Sequence, residues 1–254
     1  MQFNERGNTP GLSYYNPVTS SIYTLDRWKI TNGNSFDTDS AHIYHSDTAP
    51  TQHGFSKSWY IDIGNTETPS SNQFSNVGTR IEGQDLQHLC YGTSSAKSMT
   101  LSFWVRSNKT GTYSVQLIQD STSSSKYVLY EYTISSSNTW EKKTINIVGN
   151  TADVIPNDNT VGLYVAWFLT AGSGKVTSPV SSWTSGGSYL AATNQVNLWD
   201  NGSNKWYLTG CQLELGDVAT AYDHRPIGEE LFLCQRYYYR HATGNGKGIS
   251  ENAT

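Results

Sequence analysis

His42-x-x-His45, with Asp47 and His53 close by, is the grouping in this chain that most resembles a metal site, since imidazole and carboxylate groups are ligands for Zn²⁺. An i, i+3 spacing brings two ligands to one side only on a helix, and the residues around it do not carry a helical pattern. The expectation is therefore partly exposed loop histidines. Asp37 and Asp39 could give oxygens to Ca²⁺, but the Gly and terminal Glu of a calcium loop are missing at the required offsets. Ala171-Gly172-Ser173-Gly174-Lys175-Val176-Thr177 superficially suggests a phosphate-binding loop. The position of its first Gly is held by Leu169, and Val176 stands where Ser or Thr must hold Mg²⁺, so it reads as a polar surface loop. Ser123-Ser124-Ser125-Lys126 has the Ser-x-x-Lys spacing of penicillin-binding enzymes, but it lies in a turn between strands and not at a helix start. No Gly-x-Ser-x-Gly elbow occurs. Glu131 and Asp200 are the carboxylates that could form a glycosidase pair, which must face one cleft at a defined separation. No catalytic residue is assigned, and no cofactor.

The aromatic residues remain. Trp and Tyr faces stack on the CH groups of sugars while Asn, Asp and Gln supply hydrogen bonds, and the chain holds 8 Trp and 17 Tyr, enough to make this the leading chemistry. Trp183, in a Gly/Ser-rich stretch, is the first candidate for an exposed glycan or receptor contact, and Trp199, at a turn edge, the second. Asn194, Asp200 and Asn201 are their expected polar supports. Trp104 and Trp167 read as core.

Many short strands must carry these residues. Charged residues are only 15% of the 254, and Ser, Thr, Asn and Gly fill the balance, a composition of strands joined by polar turns rather than of disorder. Met99, Leu101, Phe103 and Val105 alternate with Thr100, Ser102, Trp104 and Arg106, and Tyr113, Val115 and Leu117 with Ser114 and Gln116. Stretches 21–30, 56–63, 126–134, 140–148, 194–199 and 205–215 read as further strands, and 170–188 as a long loop. Val161 to Leu169 is apolar or aromatic on both parities, as in a strand covered on both faces. One short helix starts near Gly228, with Glu229 and Glu230 in its first turn and Leu231, Cys234 and Gln235 on one side. The fold class is all-β: an antiparallel, jelly-roll-like β-sandwich over 1–225, then a short helix and C-terminal extension over 226–254.

A net charge of −4 disfavours nucleic acid as a partner. No apolar run is long enough to insert in a membrane, and Met1 to Arg6 lacks the apolar stretch of a signal peptide, so synthesis in a cytoplasm is expected. Cys90, Cys211 and Cys234 are too few and scattered for a disulfide framework or a zinc site, and read as small core residues.

The run Tyr207-Leu208-Thr209-Gly210-Cys211-Gln212-Leu213-Glu214-Leu215-Gly216, continuing through Ala219-Thr220-Ala221-Tyr222-Asp223-His224-Arg225-Pro226 to Glu229-Glu230-Leu231 and Cys234-Gln235-Arg236-Tyr237-Tyr238-Tyr239, resembles a signature of tailed-phage virion proteins. That signature reads "LTGVQLEVG…ATPFEHR…EELALCQRYY". Thr24-Leu25-Asp26-Arg27-Trp28, Met99 to Ser107 with Gly111-Thr112-Tyr113, Trp140 to Ile145, and Gly162-Leu163 with Trp167 resemble further pieces of the same family, in the same order. The resemblance implies a virion location, on a tail fibre or similar appendage or on a capsid or collar fibre. It implies a jelly-roll domain similar to carbohydrate-binding modules, other virion proteins as partners, a homotrimer, and host attachment through a surface glycan. Relatives of that kind carry more sequence on either side, which leaves open that this chain is a segment of a longer fibre. One structural Ca²⁺ is compatible with the jelly-roll resemblance. A module with true glycan affinity is the alternative reading, and a glycan depolymerase the least supported.

Overall fold

The computed structural model describes residues 21–25, 27–36, 41–120, 125–186 and 189–237. The period-2 segments become β1 (Ile22–Tyr23), β2 (Trp28–Gly33), β3 (His42–Ser46), β4 (Ser58–Asp62), β5 (Phe74–Glu82), β6 (Met99–Ser107), β7 (Gly111–Gln119), β8 (Lys126–Ile134), β9 (Glu141–Ile147), β10 (Val161–Ala171), β11 (Val176–Thr177), β12 (Val180–Ser185), β13 (Ala191–Ala192) and β14 (Lys205–Leu215). Helix α1 (Ile227–Gln235) follows the last strand. Seven strands pair in the order β1-β2-β5-β10-β7-β8-β12 and five in the order β3-β4-β14-β6-β9, all antiparallel. The two sheets pack face to face as a jelly-roll-like sandwich, while β11 and β13 form a small parallel pair of their own.

The sandwich interior takes Val115, Leu117, Val165 and Trp167 from the larger sheet and Trp59, Ile61, Phe103 and Val105 from the smaller, all at most 2% exposed. Strand β10 lies at the centre of the larger sheet, between β5 and β7. Its opposite parity, Tyr164, Ala166 and Phe168, joins Phe74, Ile118, Leu129 and Ala191 in a second apolar cluster on the outer side. Two-sided cover explains why 161–169 carries no polar face, as the sequence pattern requires.

Four sequence-level expectations need correction. The stretch 170–188 is not one loop, because β12 inside it pairs with the edge of β8. Residues 194–199 do not form a strand: Leu198–Asp200 is a 3₁₀ turn, closed by the Asn197 side chain accepting from the Trp199 N–H at 3.0 Å. Such a short-range Asx closure competes with strand pairing. His42 and His45 are strand residues, three apart and so on opposite parities, which bars them from binding one metal together. Cys90 is not core: it stands at φ 56° and ends the 3₁₀ segment Gly83–Leu89, whereas Cys234 is buried and Cys211 packs against the core. Burial pushes the Cys211 thiol well above its ordinary value.

Strand β14 is bulged between Thr209 and Gln212, and Gly210 there has φ 57°. A Cβ at Gly210 would meet the Phe55 ring at 2.6 Å, so the position combines a left-handed backbone with no free space. Gly210→Ala is expected to cost about 2–3 kcal/mol, read as a fall in thermal midpoint. A midpoint within one or two degrees of wild type would contradict this.

At the far edge, burial pushes the Glu141 carboxyl up, but Lys143 at 2.6 Å and the N–H groups of Ser136 and Ser135 outweigh it and hold the pKa below its ordinary value. A depressed carboxylate adds stability above its unfolded pKa of about 4.3, and that stability disappears as pH falls through the folded value. The thermal midpoint of Glu141→Gln is therefore expected to change less between pH 5 and pH 3 than that of wild type. Parallel curves for the two proteins would contradict it.

Candidate functional site

Alternation fixes which residues of the five-stranded sheet face solvent. Since Trp59 and Ile61 point inward on β4, Tyr60 and Asp62 point outward. The same parity turns His42 and Tyr44 on β3, Lys205 and Tyr207 on β14, and Trp104 and Arg106 on β6 to the outer face, where all are half-buried except Tyr207, which its neighbours cover to 8% exposed. Cross-strand register then aligns them. Tyr44 is opposite Tyr60, Tyr60 opposite Tyr207, and Tyr207 opposite Arg106. Trp140, just before β9, closes the row. Strands about 4.8 Å apart make a row across all five roughly 19 Å long.

The row is a continuous ladder of rings. Tyr44 and Tyr60 stack at 5.4 Å, and Tyr60 and Tyr207 at 4.4 Å with ring planes 12° apart. The Arg106 guanidinium lies 5.3 Å over the Tyr207 ring, and Trp140 meets Tyr207 edge-on at 6.0 Å. His42 extends the ladder beyond Tyr44, at 6.0 Å. The rings stand face to face between strands on a rigid base, with half-buried Tyr44 and Tyr60 beside the covered Tyr207. Burial pushes the Tyr60 phenol up, and its hydrogen bonds with Asp62 and Tyr207 add to the shift, so it stays a protonated donor at any physiological pH. Beside the ladder, the exposed His53 ring stacks on Trp104 at 4.2 Å. Trp104, expected in the core, is thus a half-buried outer-face residue, while Trp167 is core as expected, 1% exposed.

The residues singled out in the sequence do not gather. Trp199 is 1% exposed, packed edge-on against Phe36 at 5.2 Å, because the Asn197-closed turn drives the indole into the end of the sandwich. It has no face for a ligand, which corrects its reading as an exposed contact. Trp183 sits on edge strand β12, half-buried. Its N–H donates to the Val148 carbonyl at 2.7 Å and its ring meets Tyr91 at 5.7 Å. The expected packing-free Trp183 is corrected accordingly. Trp183→Ala should cost about 1–3 kcal/mol of stability, from lost burial and a lost hydrogen bond, and leave ligand binding unchanged. Melting curves with a binding assay would check this, and a variant with wild-type stability but lost binding would contradict it. Asn194 donates to Glu131 at 3.2 Å, Asp200 pairs with Lys109 at 2.6 Å and accepts from Asn204, and Asn201 accepts from the Ser203 N–H. These contacts serve separate turns.

The other groupings end similarly. Ser173–Lys175 is a 3₁₀ turn with Lys175 over the Phe74 ring, and Lys126 donates to Ser185, while Ser123 and Ser124 lie outside the described residues. Asp37, Asp39, Tyr238 and Tyr239 also lie outside them. Among the described residues no cluster of three or more His, Cys, Asp or Glu side chains could hold a metal, and no helix is long and apolar enough to cross a membrane. A separate cleft of about 640 Å³ opens between the sheets, with Trp28 and Trp167 among its lining and His224, Arg225 and Glu230 contributed by the segment after β14. Leu25, Arg27 and Trp28 meet Thr209–Glu214, Thr220 and Tyr222–Arg225 there, though far apart in sequence.

No family model matches this chain, nor does any curated protein sequence. Among solved structures it is similar to the enzymatically active domain of tailspike protein 4 of bacteriophage CBA120, at 13% identity and a TM-score of 0.43, with 79% of this chain and 22% of that one covered. It is also similar to the CBM22-2 xylan-binding domain of Paenibacillus barcinonensis Xyn10C, at 14% identity and a TM-score of 0.42, covering 76% of this chain and 94% of that one. A family 11 carbohydrate-binding module from Clostridium thermocellum, in complex with a mixed-linked tetrasaccharide, matches at 9% identity and a TM-score of 0.37, covering 79% and 97%. The chain spans less than a quarter of the tailspike structure, and likeness at these values is one of broad outline.

Proposed function

We propose that this chain is a non-catalytic glycan-binding β-sandwich, carried on a virion appendage. The observation behind the binding role is the Tyr44–Tyr60–Tyr207–Arg106–Trp140 ladder across the outer face of the smaller sheet. A solvent-facing sheet surface needs only polar residues for solubility. Tyr rings on β3, β4 and β14, with Arg106 on β6 and Trp140 just before β9, instead give a rigid aromatic and hydrogen-bonding surface for a sugar chain lying across the strands. Side chains with few rotatable bonds, already ordered by stacking, lose little entropy when a ligand arrives. The virion context rests on the sequence resemblance at Leu208–Pro226 and its companion segments. Self-association, expected as a homotrimer, belongs to the same reading and agrees with Ile227 and Phe232 on α1 standing 62% and 75% exposed.

A glycan array probed with the labelled protein tests the binding role, and a defined subset of oligosaccharides is expected to bind. Tyr60→Phe keeps the stack and removes one hydroxyl, so affinity should fall by about 0.5–1.5 kcal/mol, with a small fall in thermal midpoint from the lost bonds to Asp62 and Tyr207. An array without any bound glycan would overturn the reading.

A further inference from the structure

Resting on that glycan-binding reading, we propose that the Arg106 end of the ladder selects an anionic glycan, with Arg106 pairing with its carboxylate or sulfate group. Arg106 makes no ion pair or hydrogen bond with any described residue, and its guanidinium lies over the face of Tyr207 at 5.3 Å. Its Nε and the Trp140 Nε1 are both shielded from solvent and without a partner. Two N–H donors without an acceptor therefore lie at one end of the row, one of them belonging to a permanent cation. Leaving buried donors unsatisfied is costly, and a ligand acceptor removes that cost only once these half-buried side chains turn toward it.

The neighbouring carboxylates are already engaged. Asp62 lies on the far side of Tyr60 and is paired with Lys205 at 3.7 Å. Glu141 is held by Lys143 at 2.6 Å, and Glu214 accepts from the Thr220 hydroxyl. Lys142, exposed on β9 opposite Trp104, lies within electrostatic reach of Glu214 and helps to hold that carboxyl below its ordinary pKa. Arg106 thus brings to this end of the ladder a positive charge that no described carboxylate pairs, in a chain of net charge −4. A guanidinium fork suits a planar carboxylate or a sulfate, which accept two N–H bonds at once, better than it suits a neutral sugar hydroxyl. Stacking on Tyr207 fixes the guanidinium plane in advance.

An array holding neutral, uronate-bearing and sulfated glycans shows which class binds and separates carboxylate from sulfate. The best anionic ligand is then compared by calorimetry with its carboxyl-reduced or desulfated form, with polyglutamate as a non-glycan polyanion. Wild type should prefer the anionic form by about tenfold or more, less at high salt. Arg106→Gln should bring the ratio of anionic to neutral affinity to about one, Arg106→Lys should restore part of that ratio, and melting curves check that both variants are folded. Equal affinity for the two forms, an unchanged preference in Arg106→Gln, or comparable binding of polyglutamate would overturn the assignment. If neutral glycans bind and anionic ones do not, the anion assignment falls and the glycan-binding reading stands. If no glycan binds, both fall.

Discussion

Trp167→Ala is expected to destabilise the sandwich by about 3–5 kcal/mol, the largest loss foreseen for any single substitution considered. Trp167 is 1% exposed at the centre of β10, between Trp28 at 5.6 Å and the edge of Phe103 at 5.5 Å, and so ties the two sheets together. Truncation removes the transfer free energy of the whole indole and leaves a void that two strongly paired sheets cannot close. Its N–H has no partner, which sharpens the test. Trp167→Phe loses ring volume but no hydrogen bond, and should cost clearly less than the alanine change. At Trp59, whose N–H donates to the Thr24 hydroxyl at 3.0 Å, the phenylalanine substitution strands a buried acceptor as well. Denaturant titrations of the three variants would rank them. A Trp167→Ala protein within about 1 kcal/mol of wild type would contradict this account of the core.

Tyr207→Ala is expected to weaken glycan binding by about 2 kcal/mol or more, roughly thirtyfold. Tyr207 is the junction of the ladder: it stacks on Tyr60 at 4.4 Å, carries Arg106 on its ring and receives the edge of Trp140. Its removal takes away one hydroxyl and also frees Tyr60, Arg106 and Trp140 to reorient. The pre-ordering of three neighbours is lost with the contact itself. Stability falls too: Tyr207 is 8% exposed, so lost burial adds to the roughly 0.5–1.5 kcal/mol of a stacked aromatic pair. Calorimetry alongside melting curves separates the two effects. Full affinity in a folded Tyr207→Ala protein would remove the ladder from the binding account.

Much of the fold was legible in local pattern. Alternation at Met99–Ser107 and 113–117, the unbroken apolar run at 161–169 and the Glu229-Glu230 helix start each act within a few residues, and each became the element expected. Turn chemistry was less legible. Asn197 closing a 3₁₀ turn is a side-chain event that a strand-like stretch such as 194–199 does not advertise, and it decided the fate of Trp199. Trp183 was misjudged because Gly and Ser around it suggest a loop, while β8 offered an edge for β12 to pair with. The ladder was half visible. Parity already grouped Trp104 with Arg106, and it would have turned Tyr44, Tyr60 and Tyr207 away from their apolar neighbours. What alternation cannot give is the order β3-β4-β14-β6-β9, where residue 207 comes between residues 60 and 106. That order is set by long-range pairing of sheet strands, and only then do four unremarkable strands become one surface.

The most direct test of the central claim is a map of ligand contacts by ¹H–¹⁵N NMR, titrating the labelled protein with an oligosaccharide that the array selects. The shifts are predicted to concentrate on Tyr44, Tyr60, Arg106, Trp140 and Tyr207, and on the indole N–H of Trp140, with Trp183, Asn194, Asp200 and Asn201 unmoved. Shifts concentrated on those four residues or on the cleft beside Trp28 and His224, with the ladder silent, would contradict it.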